Sequence, residues 1–124
     1  MCRIATISLH TCPLADLGER QAGGMNVYVR EISRELGQRG MEVDIFTRLT
    51  DPDLPQIVEY ADNARVIHLP AGEPAHIDKN EISNHFPEFI CGALRFAAEN
   101  DIQYNFLHSH YWLSGWAGLH LARR

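Results

Sequence analysis

The sequence predicts an α/β fold: a Rossmann-like, mostly parallel sheet with helices on both faces. Three observations carry that expectation. Arg3 to Leu9 is a β-branched, nearly continuous apolar run, the pattern of a strand covered on both sides. Apolar residues then recur at Met25, Val29, Ile32 and Leu36, one face of a helix, and Glu42 to Arg48 follows as a second strand. Strand, helix and strand at that spacing form a βαβ unit, right-handed by rule, and the alternation resumes in the second half of the chain.

Each element has its own local reason. The first helix is expected from about Gly24 to Arg39. Glu31 with Arg34 and Glu35 with Arg39 stand three and four residues apart, acid first, as on a solvated face. Gly40 is the expected C-terminal stop. Thr50 to Pro55, with two prolines and two aspartates, reads as loop. Ile57 to Ala61 and Arg65 to Leu69 read as a hairpin-like pair of strands around Asp62-Asn63, and Pro70 to Pro74 as loop again. A helical pattern runs from about Lys79 to Asn100, with Phe86, Phe89, Ile90, Ala93, Leu94 and Ala97 facing inward. Pro87 should kink or restart it, because its ring removes a backbone donor. Tyr104 to Ser109 is the next strand. Tyr111 to Arg124 reads as a helix apolar nearly all round, which needs cover on more than one side. A further strand would be expected after it. The expectation is therefore a piece of a longer domain, or a chain whose last helix is covered by a missing C-terminal domain or a second copy.

Composition narrows the function classes. At 124 residues the chain is one domain at most, and its formal net charge of −5 disfavours broad nucleic-acid or membrane-surface binding. Any anion site must be local. Cys2, Cys12 and Cys91 show no Cys-x-x-Cys spacing, which fits reduced thiols and a cytoplasmic location. No apolar run reaches membrane-spanning length and no signal-peptide pattern opens the chain, so membrane insertion is not expected.

The stretch Gln21-Ala-Gly-Gly-Met-Asn-Val-Tyr-Val-Arg30 reads as the mouth of the first helix. Two glycines let a ligand approach the backbone, and a helix start offers unpaired N–H groups with a partial positive charge, which suits a phosphate. The polar loop from His10 to Ala22 before it is unusually long for a strand-to-helix connection. Ligands of open α/β sheets bind beyond the strands' carboxyl ends, where the strand order reverses. If the strand ending near His108-Ser109 neighbours the first strand, then Gly23, Gly24, Asn26, His10, His110 and Tyr111 surround one cleft.

Other chemistries fit less well. A dinucleotide fingerprint would place G-x-G-x-x-G directly after the first strand and an acid at the end of the second. Here the glycines are adjacent and distant, and the second strand ends in Arg48, which leaves only an NADP-type fragment as a distant alternative. There is no G-x-x-x-x-G-K-[ST]. His108 and His110 share a strand face, but no carboxylate or cysteine stands at a matching spacing, so no metal is expected. His68, His76, His85 and His120 read as surface or packing residues. Cys12 and Ser109 have histidines nearby, yet Ser109 lacks the strained elbow of a nucleophile.

Gln21 to Arg30, Glu42-Val-Asp-Ile-Phe-Thr-Arg48, Val66-Ile-His-Leu-Pro70 and His108-Ser-His-Tyr-Trp-Leu-Ser-Gly115 together resemble the N-terminal domain of retaining GT-B glycosyltransferases of family 4, in order and over nearly the whole chain. That family includes inositol-phosphate glycosyltransferases and sucrose-phosphate synthases. The resemblance implies that residues 1–124 are a partial, acceptor-binding half, with the donor-binding domain and the catalytic residues beyond Arg124. It implies a nucleotide-sugar as co-substrate, no other cofactor, and a phosphorylated sugar or polyol as acceptor. Gly23 and Gly24 would face the donor diphosphate. Asn26 would lie near acceptor and donor, and Lys79 and Tyr111 would hold the acceptor phosphate, with His10, His110 and Trp112 lining the cleft. The 124-residue chain alone would be inactive. A non-catalytic α/β module binding phosphorylated sugars is the alternative from another class.

Overall fold

The computed structural model describes residues 2–8, 24–50, 52–72 and 83–109, apart from the side chains at 24–27, 83, 86, 108 and 109. Seven elements follow one another: β1 (Arg3–Ile7), α1 (Gly24–Gln38), β2 (Glu42–Arg48), β3 (Ile57–Ala61), β4 (Ala64–Leu69), α2 (Phe86–Glu99) and β5 (Phe106–Ser109). The five strands form one sheet in the order β3-β4-β2-β1-β5. β1, β2, β4 and β5 run parallel, and β3 is antiparallel to β4. The α/β expectation therefore holds, including the hairpin around Asp62-Asn63.

The two helices cover opposite faces because alternate residues of each buried strand serve opposite cores. Ile4, Val43, Ile45 and Val66 pack with Val29 of α1. Ala5, Ile7, Phe46, Ile67 and Leu69 pack with Phe89, Ile90, Ala93 and Phe96 of α2. All of β2 beyond Glu42 is buried, as a central parallel strand requires.

Boundaries and faces differ from expectation at several points. β1 ends at Ile7, two residues short of Leu9. β5 begins at Phe106, because the Asn105 side-chain carbonyl accepts the Arg3 N–H at 2.9 Å, in place of a ladder bond. The second helix begins at Phe86, preceded by a single 3₁₀ turn (Ser83–His85), and Pro87 sits in its first turn, where a missing N–H is harmless. Its inward row takes Phe96, 4% exposed, and leaves Leu94, 36% exposed, at the rim. On α1 the most buried residues are Val29 and Ser33, followed by Gly37, while Ile32 and Leu36 are only half-buried. The small residues let the helix lie close. A Cβ at Gly37 would stand 2.1 Å from the Asp62 carbonyl oxygen.

The end of α1 is a Schellman motif, as Gly40 foretold. Gly40 has φ +94°, its N–H donates to the Gly37 carbonyl, and the Met41 N–H donates to that of Leu36. The Glu31–Arg34 and Glu35–Arg39 pairs form at 3.2 and 3.0 Å on the solvated face.

Candidate functional site

Four parallel strands deliver their carboxyl ends to one edge of the sheet. In register, Ile7 of β1 stands opposite Phe46 of β2 and Ser109 of β5, and Arg48 stands opposite Leu69 of β4. From β1 the chain first winds outward to β2 and β4, and only then crosses to place β5 on the other side of β1. The strand order therefore reverses between β1 and β5, where a doubly wound sheet opens its crevice. The neighbourhood of β1 and β5 on which the expected cleft depends is present.

The mouth of α1 faces the same edge. Its C-terminal turn docks on the opposite one: Asn63 Nδ2 donates to the Gly37 carbonyl at 3.0 Å, and the Val43 N–H donates to the Asn63 carbonyl at 2.8 Å. A helix of 15 residues rises about 22 Å, comparable to the height of a parallel sheet, so Gly24 returns to the carboxyl edge. No acidic residue stands in its first turn, where a carboxylate would oppose the approach of an anion.

Beside this crevice, the turn after β4 is tied to the start of α2. The buried guanidinium of Arg48 donates to the Ala71 carbonyl at 3.2 Å and to the Leu49 carbonyl at 3.4 Å. Burial lowers its pKa from the ordinary arginine value. Gly72, at φ +77°, donates its N–H to Glu88 Oε1 at 2.5 Å. A Cβ at Gly72 would come within 2.8 Å of the His85 ring, so only glycine fits against that imidazole. Arg48, weighed as a partner for a 2′-phosphate, is turned inward toward backbone carbonyls.

The opposite, amino-terminal edge holds a polar network. Arg65 Nε donates to Asp44 Oδ1 at 2.6 Å and its Nη2 to Oδ2 at 3.1 Å, while the Tyr104 hydroxyl donates to Oδ2 at 2.5 Å. Desolvation, and then the bond to Asp44, push the Tyr104 phenol well above its ordinary pKa. Among the described residues no group of three or more His, Cys, Asp or Glu is placed to hold a metal ion, and no helix is long and apolar enough to cross a membrane.

Residues 23–124 match the family described as glycosyl transferase 4-like domain. The chain belongs to that family. A D-inositol 3-phosphate glycosyltransferase from Nocardiopsis dassonvillei is 51% identical over 98% of this chain and 29% of its own length. One from Thermomonospora curvata is 48% identical over 94% of this chain and 27% of its own length. A solved sucrose-phosphate synthase from Thermosynechococcus elongatus superposes with a TM-score of 0.92 at 38% identity, over 100% of this chain and 31% of that one. The chain thus spans about three-tenths of the length of these relatives, and the GT-B expectation for its fold is met.

Of the residues expected to build a glycosyltransferase site, Gly24 is the first residue of α1 and Asn26 lies in its first turn, both at the carboxyl edge. Gly23, Lys79, Tyr111, His10, His110 and Trp112 lie outside the described residues, as do Cys12, His76, His120 and the expected last helix. His68 is a packing residue, 3% exposed, with Nδ1 2.8 Å from the Pro55 carbonyl oxygen. His85 packs on Gly72. The sequence reading missed the Gly72–His85–Glu88 junction, although an acid directly after a proline in a helix's first turn was a signal for it. It also missed the Asp44–Arg65 pair, signalled by an aspartate between the apolar Val43 and Ile45.

Proposed function

We propose that this chain is the acceptor-binding half of a retaining glycosyltransferase. The complete enzyme would move a sugar from a nucleotide-sugar to a phosphorylated sugar or polyol, with D-inositol 3-phosphate as the acceptor tested first. The observation that carries this reading is 51% identity, over nearly the whole chain, to a protein named for that acceptor. The crevice between β1 and β5, with the mouth of α1 at its edge, supports it. In this reading the N–H groups at Gly23 and Gly24 face the donor diphosphate and stabilise the charge that develops as it leaves. Asn26 sits between donor and acceptor. Lys79 and Tyr111 hold the acceptor phosphate, one as a point charge and the other as a hydroxyl donor.

Retention in this family is pictured as front-face substitution, in which the leaving diphosphate helps to remove the acceptor hydroxyl's proton. Such a step needs stabilised phosphate charge rather than a protein nucleophile. A pair of carboxyl groups about 5–5.5 Å apart, as in a retaining hydrolase, is not called for. Recognition of the donor base belongs to the part of the relatives that this chain does not span, and the 124-residue chain by itself turns over no nucleotide-sugar.

Calorimetric titration with D-inositol 3-phosphate, and with myo-inositol as the unphosphorylated control, tests the acceptor reading. Lys79→Ala and Tyr111→Phe should each weaken binding of the phosphate ester about tenfold or more, the usual size of a lost charge-assisted hydrogen bond. Equal affinity for the two polyols, or unchanged affinity in both variants, would end the assignment.

A further inference from the structure

We infer that Thr47 is a positioning residue for the anion at the mouth of α1, its buried hydroxyl bonding to a water that the bound anion holds. The inference rests on the phosphate reading above. β2 sends Val43 and Ile45 to the α1 face, where they pack with Val29, and alternation sends Thr47 the same way. Two residues of strand advance about 6.6 Å and one helical turn about 5.4 Å. Thr47 therefore lies beneath the turn that precedes Val29, the first turn of α1. His68 of β4 stands opposite Thr47 in register, and Ser8 follows the Ile7 that stands opposite Phe46. Ser8, Thr47 and His68 thus make one polar row across three neighbouring strands at the carboxyl edge, all of them buried. His68 is engaged with the Pro55 carbonyl oxygen. Thr47 is 0% exposed, and its hydroxyl has no hydrogen-bond partner among the described residues.

Leaving a hydroxyl buried and unpaired weakens the fold, and valine, similar in shape and as good a strand former, would avoid the loss. The neighbouring Val43, Ile45 and Val66 show that this face accepts such residues. Threonine here therefore works against stability in the free chain, and it does so under a helix mouth whose N–H groups suit an anion. Closed off from solvent, the hydroxyl does not reach the anion itself. A water seated between them, accepting from Oγ1 and donating to a phosphate oxygen, satisfies the hydroxyl and is nearly as good as a direct bond. The bound state then gains a bond that the free chain lacks, which makes Thr47 a determinant of affinity and not of folding.

Titration of the 124-residue chain with inorganic pyrophosphate, paired with urea unfolding of the same variants without ligand, tests this. Thr47→Val should leave the unfolding midpoint unchanged or raise it, and weaken pyrophosphate binding about three- to tenfold. Thr47→Ser, which keeps the hydroxyl and drops the methyl, should lower the midpoint and bind within about twofold of wild type. The two variants thus separate affinity from stability, which a packing role for Thr47 would not do. Wild-type affinity in Thr47→Val would overturn the inference, as would a Thr47→Ser chain that loses as much affinity as Thr47→Val. A midpoint lowered in Thr47→Val would mean a hydroxyl already bonded in the free chain, and would overturn it too. A wild-type chain with no affinity for pyrophosphate would instead remove the phosphate reading, and this inference with it.

Discussion

At the residue scale, the carboxylate most deeply committed to the fold among the described residues is Asp44. It sits in the amino-terminal half of a buried strand, 3% exposed, and takes bonds from Arg65 and Tyr104, far from it in sequence. Removing one partner of such a pair strands the other in a poorly solvated place. Asp44→Ala should therefore lower stability by about 3 kcal/mol in urea unfolding, and Tyr104→Phe by about 1 kcal/mol. Tyr104 also sets an alkaline limit. Burial and the neighbouring carboxylate raise its pKa in the folded chain, and burial raises that of Tyr60, whose hydroxyl donates to the Arg30 carbonyl. The unfolded chain then releases these protons first, so stability is complete below about pH 10, the free phenol value, and falls above it. Unfolding midpoints measured at pH 8 and pH 11 should diverge in the wild type and diverge less in Tyr104→Phe. An undiminished alkaline loss in that variant would contradict the assignment. A single sequence shows the aspartate but not its partners. Asp44 reads locally as one polar residue in a strand, and its partners are fixed only when β2 and β4 pair and Tyr104 folds back beneath them.

At the element scale, the runs and periods that specify strands and helices were plain, and their exact faces were not. β2 runs from Glu42 to Arg48 as expected, because seven consecutive residues of the right shape are bounded by a helix stop and a loop. The deepest row of α1 depends on something periodicity does not weigh, the gain from close approach. Ser33 and Gly37 lie against the sheet and the β3–β4 turn, where larger residues would hold the helix away. On α2, starting the helix at Phe86 puts Phe96 beneath the sheet. There its ring meets Phe46 edge-on at 5.7 Å and carries the Arg65 guanidinium 5.5 Å from its centre. Leu94, which periodicity placed inside, stands at the rim. Phe96→Ala should accordingly lower stability by about 3–4 kcal/mol and Leu94→Ala by under about 1.5 kcal/mol. Denaturant unfolding of the two variants compares them directly, and the reverse order would restore the face read from periodicity.

At the scale of the whole molecule, the proposed function rests on where the strand order turns back. That reversal was legible, because a chain wound outward from its first strand must return to the other side of that strand if it is to continue. The junction at Gly72 was not legible, because it joins a turn to a helix start through contacts between residues 72, 85 and 88 that no motif announces. The net charge of −5 adds a constraint on the proposed site: a phosphate there would have to be held by local N–H groups and one or two side chains, against an unfavourable surrounding field. The central claim is that the paired-glycine mouth of α1 and the loop after β5 face one phosphate-accepting crevice. Backbone amide chemical-shift mapping of the 124-residue chain during titration with D-inositol 3-phosphate tests it most directly. The account predicts that Gly23, Gly24 and Asn26 shift together with Tyr111 and its neighbours, along one saturation curve, while Asp44 and Arg65 at the opposite edge stay still. Shifts confined to that opposite edge, or to only one of the two loops, would contradict it.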